Sequence, residues 1–235
     1  MTAVVEPPVA RLAALPGVST ASRVAAQAER ARAAGKVLPV VPALAGLLPA
    51  AGLRRGSTVA VHGGTSLLFA LLAEATAAGS WAAVVGMPSL GLAAAAEYGV
   101  DLGRVALVPR PGAELPAVVA ALLDGVDLVV VNAEKVQAAV ARRLSARARH
   151  RGAVLLASGA WPAADVELSC RFSGWSGLAD GYGHLRERRV QVRVHGRGAA
   201  ARPTSASLTL PGSAGSVGSV GSAERNHALR SEATA

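Results

Sequence analysis

Between Ser57 and Ala157 the chain repeats one pattern, a short apolar run followed by a longer stretch of helix formers. The runs fall at residues 58–61, 82–86, 105–108, 128–131 and 154–157. Each is too short for a buried helix and is apolar throughout rather than alternating, as a strand covered on both faces must be. The stretches between them, 67–78, 92–98, 114–123 and 134–149, predict helices. Strands that alternate with helices return to the sheet in one direction. The pattern therefore predicts an α/β fold, a mainly parallel sheet with helices on both faces.

Past Trp161 the period changes. "DVELSCRFSGW", "RRVQVRVHG" and "TSASLTL" alternate polar and apolar residues, which predicts antiparallel strands added at one edge of the sheet. Upstream, residues 1–36 read as an arm carrying a helix at 20–34, with Thr20 as its cap and Gly35 beyond its end. Residues 37–210 make the core domain. Residues 211–235 are rich in Gly, Ser and Ala and predict a disordered tail. The longest uncharged runs, 37–53 and 75–96, are broken by prolines and glycines, so they predict buried core and not a membrane span. The first residues hold Glu6 and prolines with no basic start, unlike a signal peptide. A single cysteine, Cys170, excludes a disulfide framework and fits a reducing, cytoplasmic setting.

The formal charge is +9. Only Lys36 and Lys135 are lysines; every other cation is arginine. With so much alanine, that bias fits a GC-rich genome and weakens the usual inference from a basic chain to nucleic acid.

Three positions decide whether such a sheet turns over nucleotide. "VAVHGGTSLLFALLAEA" has the strand–turn–helix skeleton of a phosphate loop, which requires Gly-x-x-x-x-Gly-Lys-Ser/Thr. Here Gly63, Gly64, Thr65 and Ser66 stand in a shortened turn, with Thr65 where the cation belongs. "VDLVVVNAEKV" ends its strand in Asn132, a poor ligand for a hard divalent ion. Glu134 is close but suits the start of the next helix. "WAAVVGMPSLG" places Met87, which cannot act as a general base, after the second strand. No catalytic residue, cofactor site or metal site is expected from these positions. The five histidines show no ligand spacing, and no partner base is readable for Cys170.

In order and spacing these segments resemble the RecA/RadA recombinase core over residues 39–210. "LPAAGLRRGSTVAVHG" looks like that family's entry into its first strand. "AAAAEYGVDLGRVALVPRP" looks like the helix, Gly-Val-Asp turn and third strand, and "GVDLVVVN" like the Walker B strand. Thr65, Asn132 and Met87 depart from the family at its lysine, its metal-binding acid and its catalytic acid. The resemblance thus implies a degenerate RecA-like core without ATP hydrolysis. Size and composition are also similar to those of the actinobacterial ImuA-prime proteins. That likeness implies a non-catalytic accessory of SOS-induced mutagenic translesion synthesis. Its implied partners are an ImuB-like Y-family protein and an error-prone DnaE-type polymerase.

Surfaces offer other readings. On the helix "EKVQAAVARRLSARARHR", Lys135, Arg142 and Arg149 fall on one stripe, and Arg143, Arg147 and Arg151 on another. "RERRVQVRVHGR" adds Arg186, Arg188 and Arg193 on what is expected to be an edge strand. These arginines suit a solvated face, an acidic partner or DNA phosphates. Trp161 and Trp175 are expected to pack in the core or at its edge. Two alternatives follow: a divergent RecA/KaiC-type ATPase that borrows a cation from a neighbouring subunit, or a DNA-binding module independent of nucleotide.

Overall fold

A computed structural model describes residues 35–162, 164–179, 182–210 and 218–220. The predicted arm, its helix at 20–34 and most of the predicted tail lie outside the described residues. The described chain begins with β1 (Val37–Leu38), which pairs antiparallel with β2 (Leu53–Arg54) around a short helix, α1 (Pro42–Ala45). Then β3 (Thr58–His62), α2 (Thr65–Ala77), β4 (Ala82–Val85), α3 (Leu92–Glu97) and β5 (Val105–Val108) follow. After them come α4 (Leu115–Gly125), β6 (Leu128–Asn132), α5 (Ala138–Arg151) and β7 (Val154–Ser158). The chain ends in β8 (Val166–Ala179), β9 (Tyr182–Gly196), β10 (Thr204–Leu210) and β11 (Gly218–Val220).

Nine strands form one sheet in the order β11-β10-β9-β8-β3-β7-β6-β4-β5. The five apolar runs read from the sequence are β3 to β7, and all of them pair in parallel. Successive side chains on a strand face opposite ways, and the burial follows that period. Val59, Val61, Leu128, Val130, Val154 and Leu156 belong to one apolar core, which includes α2. Ala60, Val129, Val131, Leu155 and Ala157 belong to a second, which includes residues of α4 and α5. Helices therefore cover both faces of the parallel strands.

The period-two segments are strands that pair antiparallel with one another at one end of the sheet, as predicted, with corrections to β8 and β9. β8 runs parallel to β3 and only then pairs antiparallel with β9. Over Arg188–Val194 β9 is not an edge strand, because β10 covers its other side. Alternation identifies a strand without giving its direction, and direction depends on the connection. The link from the carboxyl end of β7 returns to the amino end of β8, where the Thr58 amide donates to Asp165 Oδ2 (2.9 Å). Gly218–Val220, within the predicted tail, pairs with β10 as β11.

The helix predicted from residue 134 starts later. The Asn132 side chain accepts from the Glu134 amide (3.1 Å) and winds residues 133–135 into a single 3₁₀ turn. Val136 and Gln137 are extended, and α5 begins at Ala138. It ends on three basic residues, Arg149, His150 and Arg151, where a helix dipole favours cations, and Gly152 closes it in the left-handed region (φ 72°).

Candidate functional site

The three positions that would carry nucleotide chemistry do lie at the carboxyl ends of parallel strands, where open α/β sheets place their ligands. Gly63 follows β3, Met87 follows β4 and Asn132 ends β6; β7 lies between β3 and β6. What the strands bring together there is a short turn. α2 starts at Thr65, so only Gly63 and Gly64 separate it from β3. Gly63 takes a positive φ of 94°, and a Cβ placed on it would lie 2.0 Å from the Cys170 carbonyl oxygen of β8. The glycine is needed because the main chain of β8 presses against the turn. A glycine required for close backbone approach and one required for phosphate look identical in a sequence.

α2 itself is a core helix. Leu67, Leu68, Phe69, Ala70, Leu71 and Leu72 are all buried, so the helix is apolar on every side of its first half. Burying each large side chain contributes roughly 1.5–3 kcal/mol. Its one buried hydroxyl, on Thr76, donates to the Leu72 and Ala73 carbonyls and accepts from the Asp101 amide (3.1 Å). That last bond holds the predicted Gly-Val-Asp turn, in which Asp101 also accepts from the Gly103 amide (2.9 Å). Met87 packs, partly buried, against the same core. Asn132 is committed to its turn. Among the described residues no group of His, Cys, Asp and Glu is arranged to hold a metal ion.

Two concavities lie elsewhere. One, of about 620 Å³, opens among Val37, Leu53, Val59, Asp165 and Arg197. The other, of about 750 Å³, is a polar groove over Ser169, Arg171, Gln191, Arg193 and His195 on the uncovered face of β8 and β9. Neither touches residues 63–66, Met87 or Asn132.

The predicted arginine surfaces are partly used internally. Arg147 and Arg151 of α5 both hold Asp124 of α4, Arg151 at 2.9 Å. The Arg147 hydrogen bond, above all, draws the Asp124 carboxyl below its ordinary value, and Arg147 itself is raised. Arg149 reaches Asp165 at 3.4 Å. Arg142 and Arg143 are exposed on α5. Lys135 is exposed but sits in the 3₁₀ turn, so it does not share the helical stripe of Arg142 and Arg149. The six residues therefore do not form one basic face.

In β9 the predicted arginines also divide. Arg189 and Arg193 are exposed, with Gln191 and His195 between and beside them, while Val190, Val192 and Val194 are buried. Arg186 lies in the outer part of the strand. Arg188 takes the α2 side. Its guanidinium donates to Ser66 Oγ (3.4 Å) and stands 5.7 Å from the centre of the Phe172 ring. Burial raises the Cys170 thiol, and Arg188 opposes that rise. Burial likewise raises the Tyr98 hydroxyl, against Ser66 and Arg188.

The two late tryptophans differ from one another. Trp161 packs in the core as expected, 4% exposed, with its indole N–H donating to Ser145 Oγ (2.9 Å). Trp175 is 49% exposed and Phe172 52%, contrary to the expectation of packing for Trp175. His62 is half exposed beside Glu167 (3.7 Å), and His195 lies 3.9 Å from the same carboxylate.

The fold and this edge define an α/β protein with a large, mostly parallel sheet flanked by helices. The profile of the MT3502 N-terminal domain matches residues 46–163. That span covers β2 to β7 with the intervening helices, and the chain belongs to this family. It is also 39% identical over 169 residues to an uncharacterized Mycobacterium tuberculosis protein, Rv3395c, covering 66% of this chain and 83% of that one. No helix among the described residues is long and apolar enough to cross a membrane.

Proposed function

We propose that the chain is a non-catalytic RecA-fold accessory of the ImuA-prime kind, acting in SOS-induced damage tolerance by binding an ImuB-like Y-family partner. An error-prone DnaE-type polymerase would join through that partner. One observation carries the loss of catalysis: the turn after β3 holds two residues and presses against the Cys170 carbonyl. A phosphate cradle works by surrounding an anion with several backbone N–H groups and a lysine. Here the loop length is gone and Thr65 stands at the lysine's place. Asn132 and Met87 support the reading, since one caps a turn and the other packs on the core.

The RecA-like reading draws support from a mostly parallel sheet that carries helices on both faces. With the site closed, the working surface is the exterior. The exposed Arg142 and Arg143 of α5 and the basic face of β9 are available to an acidic partner. The test is a binding titration between the full chain and a purified ImuB-like protein. The reading predicts a complex at micromolar concentration or below, and no complex at such concentrations defeats it.

A further inference from the structure

Beyond Ser169, β8 leaves β3, and beyond Arg188, β9 leaves β10, so the two strands continue as a two-stranded ribbon. A register shift between Phe172 and Gly174 inserts one residue. Phe172 stands opposite Val190 and Trp175 opposite Arg188, two β9 residues of one parity. The bulge therefore puts Phe172, Trp175 and Arg188 on one face, where strict alternation would have separated the aromatics. The rings lie 5.9 Å apart and are tilted by 51°, so they do not close on each other. Each is about half exposed in a chain with few aromatic residues.

Adjacent exposed aromatics form a contiguous patch, which marks a contact surface where a lone exposed ring does not, and this pair has a cation held beside it. The other face of β8 and β9, where the ribbon leaves the sheet, carries the exposed Arg171, Arg189 and Arg193. Among the described side chains of β8 and β9 the single carboxylate is Glu167, at the opposite end, beside His62 and His195. A surplus of guanidinium around two aromatic platforms suits a polyanion that also offers π-faces. We infer that this ribbon binds single-stranded nucleic acid, a base stacking on Trp175 and a neighbouring phosphate meeting Arg188. Duplex bases present edges and not faces, so a stacking surface selects unpaired strands. The inference is independent of the polymerase-partner reading and needs no nucleotide at the turn after β3.

Fluorescence anisotropy of the full chain with a labelled oligothymidylate of about thirty nucleotides tests it. Binding should weaken at least tenfold or so as salt rises from about 50 to about 200 mM. Trp175→Ala should weaken it by about tenfold or more, Arg188→Gln should flatten its salt dependence, and Trp175→Phe should keep most of the affinity. Thermal melting of each variant reports whether the fold is intact, and Trp175→Phe keeps a folded aromatic comparator in the series. Equal affinity of wild type and folded Trp175→Ala would overturn the inference, as would equal binding of duplex, or no binding at all. Competition by polyglutamate as effective as that of unlabelled oligothymidylate would give the patch to an acidic protein instead, and would also overturn it.

Discussion

Two neighbouring regions at the same end of the sheet have opposite characters. The turn after β3 keeps the outline of a ligand site and is pressed on one side, with Gly63 against the Cys170 carbonyl. The β8–β9 ribbon next to it has no recognisable motif, yet it presents Phe172 and Trp175 to solvent with Arg188 half-buried beside them. One strand, β8, makes both: its main chain presses on the turn at Cys170, and two residues later its side chains emerge. Motif-like sequence thus marks where a resemblance would put a site, while exposure and charge mark where contact is available in this fold.

Substitutions at the two regions should separate them by size of effect. Trp161→Ala, in the core, should cost about 3–5 kcal/mol in denaturant unfolding, since it removes a packed ring and orphans the Ser145 hydroxyl. Gly63→Ala should cost roughly 3 kcal/mol from positive φ and collision with β8 together. Gly64→Ala should cost less, about 1–2 kcal/mol, because φ is 127° but a Cβ there meets nothing within 4 Å. A Gly64 effect as large as that of Gly63 would break the claim that β8 closes the turn. Trp175→Ala should change stability by less than about 1 kcal/mol, against the loss at Trp161.

The smallest effect belongs to the clasp between α4 and α5. Asp124 is held below its ordinary value of 3.8, so its contribution is present above that pH and is lost as pH falls through the lower folded value. Asp124→Asn should lower the unfolding midpoint slightly near neutral pH, and the difference from wild type should vanish in strong acid. A difference unchanged by acid would show that the carboxylate charge is not what Arg147 and Arg151 hold.

The parallel half of the molecule was readable because its strands are buried on both faces, which forces continuous apolar runs such as Leu128–Val131. The ribbon was readable as strands and not as a surface. Its bulge at residues 172–174 moves Trp175 onto the face of Phe172, and alternation in the sequence carries no mark of that shift. Lys135 was misplaced because helical periodicity continues through it, whereas the Asn132 side chain breaks the backbone there. The pairing of Arg147 and Arg151 depends on Asp124, on another helix, which no stripe on α5 can show. The shortness of the turn after β3 was legible in the sequence; what packs against it, Cys170 of a strand far along the chain, was not.

Calorimetric titration of the full chain with ATP and Mg²⁺ tests the central claim most directly. The account predicts no heat of binding at micromolar to submillimolar nucleotide and no phosphate release. Micromolar binding, or any turnover, would mean that the turn after β3 still works as a nucleotide site, and the reading of a closed site would be wrong.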